Sequence, residues 1–179
     1  MKTLTLLRHA KSGWDDAIPR DFDRPLNPRG RRAAQRMGRE MKALALAFDR
    51  VVASPALRVT ETIAEVEAGY GASLSPDWDR RAYLASAQTL LDILAEQDER
   101  VGSLLLVGHN PGLEDLVLAL VPDVPGTLRD SVEEKYPTAT LAEITLDIAG
   151  WRDAAAGCGA LTRFVRPRDL DPALGPDRE

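Results

Sequence analysis

The sequence is poor in the residues that build cross-links, metal sites and membrane spans. Cys158 is the only cysteine, which excludes an internal disulfide and is consistent with a reducing compartment. Two histidines are present, His9 and His109, and neither has an acidic ligand at the spacing of a zinc set. No apolar run approaches the ~20 residues of a membrane helix, and the N-terminus lacks the apolar region of a signal peptide. We therefore expect a cytoplasmic protein with no metal, no cofactor and no membrane partner.

Positive charge is also scarce. The chain has 23 Lys and Arg against 28 Asp and Glu, a net charge of −5 over 179 residues. This balance argues against a general affinity for nucleic acid or for an anionic membrane surface. An acidic protein that binds phosphate must instead gather its arginines locally, so clustered arginines carry more weight than the total. The length fits one domain with a sizeable core.

Hydrophobic periodicity predicts an α/β fold. Short buried strands are expected at 3–7, 50–53 and 103–107, separated by helices at 28–47, 55–68 and 86–97, with another helix at 113–121. The segment 13–26 is predicted as a loop, and 122–138 as an excursion over one end of the sheet. Segments 140–148 and 161–165 are predicted to pair as an antiparallel hairpin. Together these elements predict one three-layer αβα domain at 1–166 with a largely parallel sheet, followed by a flexible, charged tail at 167–179.

Four polar residues follow the predicted strands. Arg8 and His9 leave the first strand, and His109 leaves the third. Arg58 lies in the first turn of the helix that Ser54-Pro55 is predicted to open after the second strand. Because the carboxyl ends of parallel strands meet at one edge of a sheet, these side chains are expected to converge.

The chemistry of such a cluster suits a phosphoryl group. Two guanidinium groups match the geometry of its oxygens, and a nearby helix N-terminus adds a favourable dipole. A neutral imidazole can attack phosphorus, and a second imidazole, when protonated, can stabilise the transferring group. Taken singly, each arginine is more simply a solvated surface charge and each histidine a turn or core residue. Their joint occurrence at equivalent strand ends favours a phosphate site.

Three motifs in order resemble the histidine phosphatase superfamily. They are residues 7–12 (Leu-Arg-His-Ala-Lys-Ser), 54–62 and 108–111. Ala10 and the segment 24–30 (Arg-Pro-Leu-Asn-Pro-Arg-Gly) resemble the SixA-type branch, the phosphohistidine phosphatases. The resemblance implies a phosphoglycerate mutase-like fold.

The same resemblance implies roles for individual residues. His9 matches the nucleophile that becomes phosphorylated, and Arg8 and Arg58 match the phosphate-binding arginines. His109 matches the second core histidine, and Ser12 a further residue on the phosphate side.

Two positions depart from the superfamily pattern. Ala10 stands where most members have glycine, which removes backbone freedom. Many members carry an acidic proton donor after the second helix, where this chain offers Asp77 and Asp79 with Tyr83 nearby. Asp79 is the candidate for that role, and a solvated loop carboxylate is the simpler interpretation of it. A phosphoramidate has a good leaving group once its nitrogen is protonated, so a strong general acid is less necessary for such a substrate.

Three functions remain open at this point. The first is a phosphatase that acts on phosphohistidine in a protein, or on a small phosphorylated compound, through a phosphohistidine intermediate on His9. The second is a small-molecule phosphatase or a phosphomutase of the same superfamily, which needs residues to hold the rest of its substrate. The third is a non-catalytic module that binds phosphoproteins. The short chain leaves little material for a lid, which favours a protein-borne target and the first function.

Overall fold

The computed structural model describes residues 1–14, 17–18 and 20–176, and its centre is a six-stranded sheet. In chain order the strands are β1 (Lys2–Arg8), β2 (Arg50–Ala53), β3 (Asp77–Trp78), β4 (Ser103–Gly108), β5 (Leu141–Leu146) and β6 (Gly159–Val165). Across the sheet the order is β3-β2-β4-β1-β5-β6. The first four strands in this order are parallel, whereas β5 and β6 run antiparallel to their neighbours. The predicted β5–β6 hairpin is therefore confirmed, and the direct pairing of β5 with β1 is a feature that we did not predict.

Helices cover both faces of the sheet. They are α1 (Pro28–Ala43), α2 (Leu57–Tyr70), α3 (Ala87–Ala95), α4 (Gly112–Leu120), α5 (Leu128–Glu134) and α6 (Pro167–Leu170), with 3-10 turns at 21–23, 80–82, 151–153 and 172–174. Residues of α3, α4 and α5 join one buried cluster, and residues of α1, α2 and α6 pack in the other. The predicted three-layer αβα architecture is thus confirmed. Among the described residues, no helix is both long and apolar enough to cross a bilayer, and the cytoplasmic location stays a prediction.

The central strands are buried on both faces, as continuous apolar runs predict for a parallel sheet. In β1, Leu4 and Leu6 belong to the α3–α4 cluster, and Leu7 belongs to the α1–α2 cluster. The register of β1 with β4 sets Arg8 opposite Gly108. The residues that follow these two strands, His9 and His109, are consequently neighbours in space.

Glycines allow α1 and α2 to approach closely. A Cβ on Gly38 would lie 2.1 Å from the carbonyl oxygen of Val66, and one on Gly69 would lie 2.2 Å from that of Gln35. Gly69 therefore lies inside α2 as a packing residue, and the helix continues past its predicted end at 68 to Tyr70. Gly71 alone ends α2, with a left-handed φ of 81°.

Two predicted helix boundaries need correction, and one predicted excursion gains a helix. Helix α1 ends at Ala43 and not at 47, and Ala45 already has a left-handed φ of 54°. Helix α2 begins at Leu57 with Ala56 as its N-cap, so Ser54-Pro55 does not cap it. The excursion 122–138 contains a helix, α5.

The segment 167–176, which we predicted to be flexible, forms α6 and a 3-10 turn. Pro167 is buried, and Leu170 and Leu174 pack against the α1–α2 cluster. The domain boundary at 166 stays a prediction. Asp15, Asp16 and Pro19 of the predicted loop, and 177–179 of the predicted tail, lie outside the described residues.

Candidate active site

A cleft of about 270 Å³ opens at the carboxyl ends of β1 and β4. All five residues predicted for the site line it: Arg8, His9, Ser12, Arg58 and His109. Its other lining residues are Lys11, Asp21, Arg24, Leu84, Asn110 and Thr138. The convergence follows from topology, because the parallel strands β1 and β4 end side by side and α2 starts next to them.

His9 is held as a neutral imidazole with a defined tautomer. Its backbone N–H donates to the carbonyl oxygen of Gly108 (3.1 Å), and its side chain is buried. Nδ1 lies 2.7 Å from the carbonyl oxygen of Ala10. Because a carbonyl only accepts, Nδ1 carries the proton and Nε2 keeps its lone pair. Burial lowers the pKa of His9 to about 4, and Arg58 and Arg8 add to this effect, while the bond to Ala10 opposes it.

The side chain of Thr62 links the first two motifs by hydrogen bonds. Thr62 Oγ1 accepts a hydrogen bond from the backbone N–H of Ala10 (2.9 Å) and donates one to the carbonyl oxygen of Arg58 (2.6 Å). Both Ala10 and Thr62 are fully buried. The position of His9 relative to Arg58 is therefore fixed by the backbone of both segments.

Asp21 anchors Arg58, which is only 1% exposed. Two guanidinium nitrogens of Arg58 donate to Asp21, one to its carbonyl oxygen (2.8 Å) and one to Oδ2 (2.9 Å). The Tyr83 hydroxyl also donates to Oδ2, at 2.5 Å. Burial alone would raise the pKa of Asp21, but these hydrogen bonds prevail and lower it to about 2. Asp21 is therefore an anionic acceptor near neutral pH and cannot serve as a proton donor.

His109 contacts a serine that sequence reasoning placed only in a helix cap. Its Nε2 lies 2.7 Å from Ser54 Oγ. The ring stands 5.3 Å from the ring of His9 and the same distance from that of Tyr83. Burial lowers the pKa of His109 to about 3, and His9 and Arg58 reinforce the shift. Both imidazoles of the cleft are accordingly neutral in this environment.

Arg8 is the second arginine that sequence reasoning predicted for the cleft. One of its terminal nitrogens donates to the carbonyl oxygen of Tyr136 (2.9 Å), which also accepts from Asn110 Nδ2 (2.9 Å). Within the described part of the chain, Arg8 Nε, Arg58 Nε and His109 Nδ1 are buried without a hydrogen-bond partner. Unsatisfied buried polar atoms are uncommon and call for an explanation. Three of the six such side-chain atoms in the described residues belong to residues that line this cleft, and the two guanidinium groups among them can donate to an anion.

The remaining candidate, Asp79, lies away from this cleft. Asp79 caps the 3-10 turn at 80–82 by accepting from the backbone N–H of Arg81 (2.9 Å), and its other oxygen pairs with the Arg81 guanidinium (2.8 Å). Arg81 also keeps the pKa of Asp79 below its usual value. The structure therefore does not bring Asp79 into reach of a leaving group at His9.

Sequence reasoning missed several residues of the site. Lys11 and Arg24 lie in the segments 7–12 and 24–30, which carry the family resemblance. Their position in these segments could have predicted that they line the site. Asp21 and Tyr83 belong to irregular segments with no recognisable pattern, and only the fold brings them to Arg58. Ser54 shows its role only through its contact with His109.

An acidic cluster lies elsewhere on the surface. Carboxylate oxygens of Asp123, Asp130 and Glu133 approach one another within 4.8 Å, and all three side chains are exposed. The Arg129 guanidinium pairs with Asp123 (3.2 Å) and with Glu133 (3.4 Å). The charge of this group is therefore partly offset by a cation of the chain itself.

Comparison with known proteins places the chain in a family. A family model described as the histidine phosphatase superfamily (branch 1) matches residues 4–82. An uncharacterized protein of Mycobacterium tuberculosis is 36% identical over 165 residues, which cover 90% of this chain and 100% of that protein. Phosphohistidine phosphatase SixA of Escherichia coli is 28% identical over 153 residues, covering 81% and 86% of the two chains.

Structural comparison agrees with the sequence comparison. The solved structure of a Nakamurella multipartitia protein, assigned as phosphohistidine phosphatase SixA, superposes with a TM-score of 0.80 at 28% identity. The match covers 93% of this chain and 96% of that one, and it confirms the predicted fold of the superfamily. The chain therefore belongs to the histidine phosphatase superfamily of enzymes, and within it to the SixA-type branch.

Proposed function

We propose that this phosphatase removes the phosphoryl group from a phosphohistidine side chain of a protein, through a covalent phosphohistidine on His9. The observation that carries the proposal is the state of His9. Its Nδ1 proton is held by Ala10, and its neutral ring presents Nε2 beside the guanidinium groups of Arg8 and Arg58. The E. coli relative of the same branch is named a phosphohistidine phosphatase, which supports the substrate class.

In the first step, His9 Nε2 attacks the phosphorus atom of the bound phosphoryl group. A bond forms between Nε2 and phosphorus, and the bond from phosphorus to the substrate nitrogen breaks, with its electron pair passing to that nitrogen. The guanidinium groups of Arg8 and Arg58 stabilise the negative charge on the phosphoryl oxygens. The bond from Nδ1 to Ala10 stabilises the positive charge that develops on the His9 ring.

The leaving group explains how the site works without a carboxylic acid. Asp21 is the only carboxylate among the described residues that line the cleft, and its low pKa makes it an acceptor. An imidazole titrates near neutral pH, so a phosphohistidine ring that is protonated on its other nitrogen leaves as neutral imidazole. An alkoxide would need a proton donor, which favours the phosphoramidate substrate.

In the second step, water attacks the phosphorus atom bound to His9. The bond from phosphorus to Nε2 breaks and its electron pair returns to the ring. The product is hydrogen phosphate, which keeps one proton of the water, and the other proton passes to the solvent. His109 lies at the same cleft, and a bound phosphoryl dianion raises its pKa toward protonation. We assign to His109 the stabilisation of the charge on the transferring group.

The rim of the cleft supports a macromolecular target. Leu84 lines the cleft and is 54% exposed, and Trp14, which is 62% exposed, covers the guanidinium of the cleft residue Arg24 at 5.2 Å. Exposed large apolar side chains beside a polar site are typical of protein-interaction surfaces. A small phosphorylated metabolite would leave this apolar rim unused.

The decisive experiment is the capture of the intermediate. Incubation with labelled phosphoramidate should give a phosphoenzyme that is labile in acid and stable in alkali. His9→Ala should abolish the labelling, and His109→Ala, which keeps the nucleophile, should slow it without preventing it. Circular dichroism and a melting temperature should show that both variants fold. A label that survives His9→Ala would refute the mechanism.

Turnover on different substrates tests the substrate class. A phosphohistidine peptide should be hydrolysed with a higher kcat/KM than sugar phosphates or phosphoglycerate. Higher kcat/KM on the small compounds would favour a small-molecule phosphatase or a phosphomutase. Phosphate binding without turnover of any substrate would leave only a phosphoprotein-binding module.

A further inference from the structure

A second cavity adjoins the catalytic cleft. It has a volume of about 340 Å³, and Arg8, Lys11 and Thr138 line both spaces. These three residues therefore form a boundary that the two spaces share. The second cavity is large enough for an organic group, since pockets for small ligands start at roughly 300 Å³.

The second cavity is strongly basic. Among the described residues, six basic side chains line it and no acidic one does. These six are Arg8, Lys11, Arg29, Lys135, Arg166 and Arg168. The concentration runs against the net charge of −5 of the whole chain. The Arg166 charge is offset by an ion pair with Asp169 (2.9 Å).

The basic residues come from distant parts of the chain. Lys11 follows β1, Lys135 ends α5, and Arg168 lies in α6. The apolar residues Pro137, Pro167 and Leu174 complete the walls. Because α6 is fixed by packing on the core, Arg168 has a defined place in this wall. A group of charges of one sign, set among low-dielectric walls, attracts ligands of the opposite charge.

We propose that this basic cavity is a second anion subsite, which binds a carboxylate or phosphate group of the same substrate molecule whose phosphoryl group His9 attacks. The proposal rests on the function assigned to the neighbouring cleft. For a protein substrate, the group is an acidic side chain, or a second phosphoryl group, close to the phosphohistidine. Arg8 holds the transferring phosphoryl group on one side and faces the second anion on the other.

The test compares two substrate pairs. One pair consists of phosphohistidine peptides that differ only in Glu or Gln residues flanking the phosphohistidine. The other consists of 4-nitrophenyl phosphate with and without a carboxylate on the ring. Both pairs are assayed with the native protein, with the double variant Lys135→Gln/Arg168→Gln, and with a control. The control, Arg100→Gln/Arg152→Gln, removes the same charge from exposed positions outside both cavities.

We expect the native protein to show a higher kcat/KM for the Glu peptide by about fivefold, mainly through KM, as partly exposed charge pairs allow. The double variant should lose this preference, and the control should keep it. A preference seen only in the aryl phosphate pair, and lost in the double variant, would retain the subsite and assign its anion to a small molecule. No preference in either pair, or one that survives the double variant, would overturn the subsite. If neither peptide is dephosphorylated, the proposed substrate class fails, and the aryl pair alone decides on the subsite.

Discussion

The lowered pKa values of the two buried histidines predict that the protein loses stability on mild acidification. Their pKa values in the folded chain are lowered from 6.5 to about 4 for His9 and about 3 for His109. Between these values and 6.5 the unfolded chain binds more protons than the folded chain. The free energy of unfolding therefore falls as the pH drops below about 6.5, and the loss is complete only below the folded-state values.

The size of the effect follows from the linkage relation. Between about pH 7 and about pH 4.5, each histidine should lower the free energy of unfolding by about 2 kcal/mol. This loss depends little on the folded-state pKa. At about pH 4.5 it arises mainly because the histidines of the unfolded chain are protonated, which stabilises the unfolded state. A change of this size is a large part of the stability of a typical domain.

The assay is urea unfolding at both pH values for the native protein and for His109→Gln. The variant cannot titrate at this position, so its loss of stability between the two pH values should be smaller by about 2 kcal/mol. Carboxylates that titrate in the same range are present in both proteins and cancel. Buffers must exclude phosphate and sulfate, since an oxyanion in the cleft would raise the pKa of both histidines.

Ser54→Ala is the matched control. It removes the contact of Ser54 Oγ with His109 Nε2 but leaves the imidazole in place, so it should keep the native dependence on pH. An equal loss of stability in the native protein and in His109→Gln would refute the reasoning, because it would mean that His109 is not held neutral.

Two further variants probe the support of the cleft. Asp21→Asn keeps an oxygen that accepts from Arg58 but removes the negative charge that repels phosphate. Inorganic phosphate should therefore inhibit the variant about threefold to tenfold more tightly. Unchanged or weaker inhibition would contradict this. Gly30→Ala would set a Cβ 2.1 Å from the carbonyl oxygen of Lys11, so the melting temperature and the activity should both fall. Gly13→Ala is the control: among the described residues the nearest atom to its Cβ is Asn27 Cβ at 3.9 Å, so both measurements should stay close to native.

The parts that sequence reasoning predicted best are those that local pattern determines. Continuous apolar runs fix the strands, and the parallel arrangement of β1, β2 and β4 brings their carboxyl ends to one edge. His9 and His109 follow β1 and β4 directly, so strand positions were enough to place them together. The structure adds that these two side chains are held neutral by burial, which residue type alone does not show.

The parts that sequence reasoning missed depend on tertiary contacts. Ser54-Pro55 has the composition of a helix cap, yet Ser54 contacts His109 and Ala56 is the cap. The segment after 166 is rich in proline and charge, which favours disorder locally. Its few apolar side chains, such as Leu170 and Leu174, pack against the core. This packing depends on the rest of the fold and cannot be read from the local sequence.

The charges of the cleft imply that a bound phosphoryl group itself favours protonation of His109. Burial, and to a smaller extent the positive charges of Arg58 and Arg8, lower the pKa of both imidazoles. A phosphoryl dianion offsets these two positive charges and attracts a proton itself, so substrate binding raises the pKa of His109 against the effect of burial. In the proposed mechanism, this proton stabilises the transferring group. Departure of phosphate restores the repulsion from Arg58, so we expect His109 to release its proton and the cleft to return to the state in which His9 Nε2 can attack again.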